Sequence, residues 1–179
     1  ANLKAGTQRF ASRPGKGSPS CGLTDRASCP QCTFMETIEA VGCIHLHSTY
    51  SDGSGTVGDL IEAAAETRLD YLILTDHHSI RARQDGLEGW LGRTLLIVGH
   101  EAGQSKGHLL AIDTPRKIRV HSAEASHIVE KTLQAGGLSF LAHPDGHPKP
   151  NFGIKDSRWK TRADLGFTGL EVWSYMYDW

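Results

Sequence analysis

The chain has 179 residues, which fits one domain of ordinary size. Its hydrophobic fraction of 39% and charged fraction of 22% are ordinary for a soluble globular protein, and a formal net charge of −1 argues against a nucleic-acid binder working through a broad basic face. No apolar run approaches the roughly 20 residues a bilayer span needs, and the first residues carry no continuous apolar stretch of the secretory kind.

Residues 1–34 are rich in Gly, Ser, Pro and basic side chains and have no sustained period. Such a composition cannot bury enough apolar surface to offset ordering entropy, so this segment reads as a disordered or non-domain leader, with residues 35–179 as the domain. Cys29-Pro-Gln-Cys32 has the spacing of half a zinc knuckle, but no second half follows, and the pair reads as free thiols. Cys43 lies in an apolar run and reads as a small core residue. A reducing, cytoplasmic setting is the default.

Further along, short apolar runs alternate with amphipathic segments. Val41 to His45 suits a buried strand. Thr56, with Asp59 three residues on, opens a helix whose apolar stripe is Leu60, Ile61, Ala64 and Ala65. Tyr71–Leu74, Leu95–Val98 and His108–Ile112 are expected as the second, third and fourth strands. A helix over about Ala123–Gln134 presents Ile128, Val129 and Leu133 on one face and stops at Gly136-Gly137. Leu138–Ala142 and Gly169–Trp173 follow as the fifth and sixth strands. Continuous apolar strands separated by helices predict a mostly parallel α/β sheet.

Metal-ligand side chains gather at the ends of these strands. His45 and His47 end the first; Asp76, His77 and His78 end the second; Glu101 follows the third; His143 ends the fifth. His108 opens its strand and is the exception. At a spacing of two in a strand, His45 and His47 point to the same side and can share one ion. Ser51-Asp52-Gly53 is a turn sequence that can bring a carboxylate back over the same edge. Adjacent ionisable residues such as Asp76-His77-His78 are costly to bury beside a hydrophobic strand unless a metal or a partner compensates them. A carboxylate such as Glu101 can bridge two cations, and imidazole suits zinc, manganese or iron. Each feature alone has a bland reading as a turn or a satisfied histidine; their joint placement is what points to a metal site.

The ordered series His45-x-His47, Ser51-Asp52-Gly53, Thr75-Asp76-His77, Glu101, Gly107-His108-Leu109-Leu110 and Ala142-His143-Pro144 resembles the polymerase and histidinol phosphatase (PHP) family from about Val41 onward. The resemblance implies a distorted (β/α)7 barrel with two or three divalent metal ions at the strand ends, and metal-dependent hydrolysis of phosphate esters, as a phosphatase or phosphodiesterase, by a metal-bridging hydroxide. It implies His45 and His47 on a first metal, Glu101 bridging to a second held by His108 and His143, and Asp52 and His77 towards a third. Glu101 and His78 are the candidate catalytic residues, and His78 and Arg81 the candidate contacts for substrate phosphate. For Arg81 and Arg83 a solvent-facing reading stands beside this one. His100 reads as a neighbour of the site, and Asp145 and His147 as weaker candidates.

The family pattern closes with an Asp-x-His pair on a late strand; no such pair is read on a strand after His143, and Gly169-Leu170-Glu171-Val172-Trp173 resembles the family's penultimate strand. The chain is therefore expected to be incomplete at its C-terminus, without the last βα unit. Two further readings remain open: a non-catalytic domain that has lost its closing ligands, and a metal-dependent hydrolase acting on a C–N bond. The expected partner is a small phosphorylated substrate; a nucleic-acid substrate is not indicated by charge, and no membrane partner is expected.

Overall fold

In the computed structural model of the chain, residues 39–104, 107–119, 125–154, 156, 158, 159 and 166–174 are described. They belong to one unit, Glu39–Trp179. The expectations for the leader at 1–34, for Cys29 and Cys32, for the first residues of the second helix and for the chain end lie outside the described residues.

The apolar runs become strands close to where the pattern puts them. These are β1 (Gly42–Leu46), β2 (Tyr71–Leu74), β4 (Thr94–Val98), β6 (Gly107–Ile112) and β7 (Leu138–Ala142), with β8 reduced to Gly169–Leu170. Helix α1 (Val57–Glu66) starts as its sequence dictates. Thr56 Oγ1 accepts the Asp59 N–H at 3.2 Å, and the Asp59 carboxylate accepts the Thr56 N–H at 2.7 Å. This is a complete capping box, which satisfies two amide donors the helix leaves unpaired.

Four elements escape the pattern: the one-turn helix α2 (Arg81–Gln84), strands β3 (Gly89–Leu91) and β5 (His100–Gln104), and a 3₁₀ turn at Pro150–Phe152. β3 is three residues long and joins β4 through Gly92-Arg93, with Gly92 at φ +67°. That is the backbone a two-residue hairpin loop requires.

The strands form two four-stranded sheets, in the orders β1-β2-β4-β3 and β5-β6-β7-β8. The expectation of a mostly parallel sheet is corrected. β1–β2, β2–β4 and β7–β8 are parallel, but β3–β4, β5–β6 and β6–β7 are antiparallel. A continuous apolar run records burial on both faces and not chain direction, so the pattern alone could not separate the two. The architecture is mixed α/β.

Each sheet has its own core. Val57 and Ala64 of α1 pack with Leu72, Leu74, Leu96 and Val98 on the first. Ile128 and Val129 of α3 (Ala125–Gln134) pack with Ala102, Leu109, Ala111 and Leu141 on the second. Leu133, expected on that buried face, is 40% exposed. Among the described residues no helix is long and apolar enough to cross a membrane.

Arg83 is neither a phosphate contact nor a solvent-facing side chain. Its guanidinium pairs with Glu88 and donates to the carbonyls of Val98 and Thr114, tying α2 to β4 and to the loop after β6. Arg81 instead makes an exposed i,i+4 pair with Asp85 at 3.2 Å. Arg83→Ala strands a carboxylate and two carbonyls, so it is expected to destabilise by about 2–3 kcal/mol. Arg81→Ala is expected to cost less than about 0.5 kcal/mol. Urea unfolding midpoints of the two variants test the contrast.

Candidate metal centre

The Glu101 carboxylate, 1% exposed, is surrounded by imidazoles. Oε2 lies 3.1 Å from His45 Nε2, 3.1 Å from His47 Nε2 and 3.4 Å from His77 Nδ1. Oε1 lies 2.7 Å from His108 Nδ1 and 3.1 Å from His143 Nε2. Five histidines from four separate parts of the chain thus meet one carboxylate.

The backbone explains how they meet. β4 leaves the first sheet at Gly99 and enters the second as β5, with Gly99 N–H on Leu74 O at 2.8 Å and Glu101 N–H on Thr75 O at 3.0 Å. A Cβ on Gly99 would stand 2.7 Å from the Ala111 carbonyl oxygen, so only glycine allows this approach. A parallel bridge between His77 and Glu101 then sets the end of β2 beside the carboxylate.

Because β6 runs antiparallel to β7, His108 at its start pairs with Ala142, next to His143. The apparent exception of His108 is therefore resolved by strand direction. His45 does not reach the centre by simple strand alternation. It is the extra residue where the β1–β2 register slips, at φ +61°, a bulge that redirects its side chain. His47 lies just past the strand end.

A buried carboxylate pairs with Asp52's loop as well. Asp76, 2% exposed, accepts the Ser48 N–H at 2.7 Å and the hydroxyls of Ser48 and Ser51 at 2.7 and 2.6 Å. It thereby holds the turn that carries Asp52, whose oxygens stand 3.2 Å from His47 Nδ1 and 3.5 Å from His77 Nε2. Gly53 is required there, since a Cβ would lie 2.1 Å from the His47 carbonyl oxygen.

Burial works to raise the Glu101 pKa, but the contacts with His108, His143, His45 and His47 outweigh it and hold the carboxyl far below the usual range. Burial opposes protonation of His45 too. Its hydrogen bonds to Glu101 and Glu171 prevail and raise its pKa to about 9. The His77 pKa is lowered, first by burial.

Neighbouring rings stand with centroids 4.6 to 5.6 Å apart, as in His47–His77 and His45–His143, so full protonation of the cluster would set several like charges side by side. Neutral imidazoles and a carboxylate instead present converging lone pairs. His108 Nδ1 shows this directly: it is buried, 2.7 Å from Glu101 Oε1, yet no hydrogen bond of proper geometry reaches it. A donor set with an orphaned nitrogen of this kind fits a bound cation better than a shared proton.

By mutual distance, the ligand atoms fall into two groups, His45–Glu101–His143 and His47–His77–Glu101, each within 4.8 Å. This differs from the grouping the resemblance implies, in which His45 and His47 share an ion; by carboxylate oxygen, however, His45 and His47 do stand together on Oε2 and His108 and His143 on Oε1.

His78 is exposed at φ +50° with its ring 6.3 Å from that of His77, at the rim. Arg81 is not brought to the site, being turned to Asp85. His100 is buried beside the cluster, its Nε2 accepting the Ile118 N–H at 2.8 Å. Asp145-Gly146-His147 has Asp-x-His spacing after His143, but it lies on the loop beyond β7, and its exposed side chains pair with each other at 3.2 Å. Glu171 was missed as a site residue: Oε1 lies 3.0 Å from His45 Nδ1, and Oε2 accepts the His143 N–H at 2.6 Å. The signal was present, since an acid inside Leu170-Glu171-Val172-Trp173 needs compensation as much as Asp76 does.

Fold and site together define a mixed α/β protein with a buried histidine–carboxylate centre that contains candidate metal-ligand groups. The chain belongs to the PHP domain family, whose model matches residues 44–136. No curated protein sequence matches it. Several solved structures resemble it, and two of these illustrate the likeness. One is a two-domain protein from Bacteroides vulgatus containing a predicted PHP-like metal-dependent phosphoesterase, with 21% identity, a TM-score of 0.47, and 67% of this chain and 38% of that one covered. The other, from Bifidobacterium adolescentis, is provisionally assigned as a metal-dependent phosphoesterase, with 17% identity, a TM-score of 0.47, and 75% and 78% covered. The chain thus spans well under half the length of the first.

The stability of the metal-free chain should depend on pH in two opposing ways. The raised His45 pKa contributes stability that is full below its ordinary 6.5 and lost as pH rises through about 9. The His100 pKa is pushed down to about 4, first by burial, so stability is also lost as pH falls from 6.5 towards 4. The urea midpoint of stripped protein is expected to peak near pH 6.5, and His45→Gln to flatten the alkaline limb alone.

Proposed function

We propose that this chain is the metal-binding part of a metal-dependent phosphoesterase, acting on a small phosphorylated substrate, with its two sheets forming segments of a distorted (β/α)7 barrel. The observation that carries this reading is the convergence of five imidazoles on the buried Glu101, four of which fall into two ligand groups that share that carboxylate while His108 stands on its Oε1.

His45, Glu101 and His143 would hold one divalent cation, and His47, His77 and Glu101 a second, with Asp52 beside it and His108 on the shared carboxylate. Bound cations supply charge neutralisation at phosphoryl oxygens and a water whose pKa is lowered towards about 7. The chain's own residues do the rest. Glu101 spaces the two ligand groups, Asp76 fixes the turn that presents Asp52, and the exposed His78 at the rim is placed to meet an oxygen of the substrate. Zinc, manganese and iron all suit this donor set.

Elemental analysis of the purified chain and of a His45→Ala, His143→Ala double variant, followed by assays with p-nitrophenyl phosphate and bis(p-nitrophenyl) phosphate after loading with Zn²⁺, Mn²⁺ or Fe²⁺, tests the proposal. The parent is expected to retain metal and to turn over at least one ester class, and the double variant to lose both. Metal-loaded protein that cleaves neither a monoester nor a diester would exclude the phosphoesterase reading.

A further inference from the structure

We propose that Glu171 is a positioning residue for the metal centre, orienting two ligands of one group, His45 and His143, through its two carboxylate oxygens. The inference rests on the metal-binding reading above and extends it to a residue outside the ligand set.

Glu171 directly follows the short strand β8, which pairs parallel with β7 through Phe140↔Gly169 and Leu141↔Leu170. Its own N–H continues that pairing to the Leu141 carbonyl at 2.9 Å. The residue therefore emerges at the edge where β7 delivers His143, and its carboxylate is turned inward, with the side chain 9% exposed.

Oε1 stands 3.0 Å from His45 Nδ1, the nitrogen facing away from the centre, while His45 Nε2 faces Glu101 at 3.1 Å. A carboxylate on the outer nitrogen of an imidazole holds the proton there and leaves the inner lone pair for a cation; such partners fix both tautomer and ring orientation. Oε2 takes the backbone N–H of His143 at 2.6 Å. His143 has φ +31°, a conformation that a non-glycine residue keeps only when its surroundings hold it.

A purely structural role is the competing account: Glu171 would tie β8 to β1, which no strand pairing joins among the described residues. The two accounts separate on chemistry. Glutamine is close in size to glutamate but has an NH₂ in place of one oxygen, and since His45 and the His143 N–H lie on different oxygens of Glu171, one of them would face a donor.

The test uses Zn²⁺ as the probe on the full chain, with affinity measured by competition against a chelator and imidazole ¹H–¹⁵N spectra recorded on the Zn²⁺-loaded protein. Glu171→Gln is expected to weaken Zn²⁺ binding by about ten- to hundredfold. It is also expected to shift or remove the His45 Nδ1–H resonance seen in the parent. Glu171→Asp, which keeps the charge but is one methylene shorter, should lose less affinity; it serves in place of the glutamine variant should that fail to fold. A parent that binds Zn²⁺ and a variant that binds it within threefold with an unmoved His45 signal would overturn the positioning role alone. A parent that binds no Zn²⁺ would overturn this inference and the metal reading together.

Discussion

One buried carboxylate organises this molecule. A carboxylate removed from water costs several kcal/mol unless paired, and Glu101 is 1% exposed. Its compensation comes from imidazoles, which carry no obligatory charge. Five of them within 2.7 to 3.4 Å can share protons, or give them up to a cation, without changing the fold around them. That adaptability separates the centre from an ordinary buried ion pair. In an Arg–carboxylate pair, such as the half-buried Arg83 with Glu88, the guanidinium keeps its charge and has no lone pair to offer, so it can only hold the carboxylate.

The position of Glu101 follows from where the chain changes sheets. β4 completes a parallel ladder with β2, and after Gly99 the same segment becomes β5 and pairs antiparallel with β6. The site lies at this joint because three kinds of strand end coincide there: the ends of β1 and β2, the start of β6 and the end of β7. An antiparallel pair puts the start of one strand beside the end of its neighbour, so the second sheet supplies His108 and His143 from opposite ends of two strands to one place. A wholly parallel sheet would have left His108 on the far edge.

Much of this was legible in the sequence, and the boundary between what was and was not is physical. β2 and β7 fall within the expected limits because Tyr71–Leu74 and Leu138–Ala142 are apolar and flanked by polar or turn residues. Thr56 and Asp59 announced α1 through a local capping box that needs no tertiary partner. β5 was invisible: His100 and Glu101 break the apolar pattern, and the segment is a strand through its antiparallel pairing with β6, with both of these side chains buried. The metal-ligand candidates His45, His47, Asp52, His77, Glu101, His108 and His143 do come together in the structure. What spacing could not convey was strand direction, which sets His108 beside the end of β7, and the distant partners that Asp76 and Glu171 find.

Backbone strain marks the same place independently of side-chain chemistry. Among the described residues, five non-glycine residues have positive φ, and three of them are His45, His78 and His143. Each such conformation costs on the order of 1–3 kcal/mol, and asparagine or glycine would relieve it at little loss if only the turn mattered. At His45 the strain accompanies a register slip that spoils part of the β1–β2 ladder, and at His143 it falls where β7 ends against the Glu171 carboxylate. A fold selected only for stability would straighten β1 and place glycine at these bends. Keeping imidazoles there, aimed at a carboxylate whose isolation from water is itself unfavourable, makes sense only if convergence of the donor atoms is the purpose the strain serves.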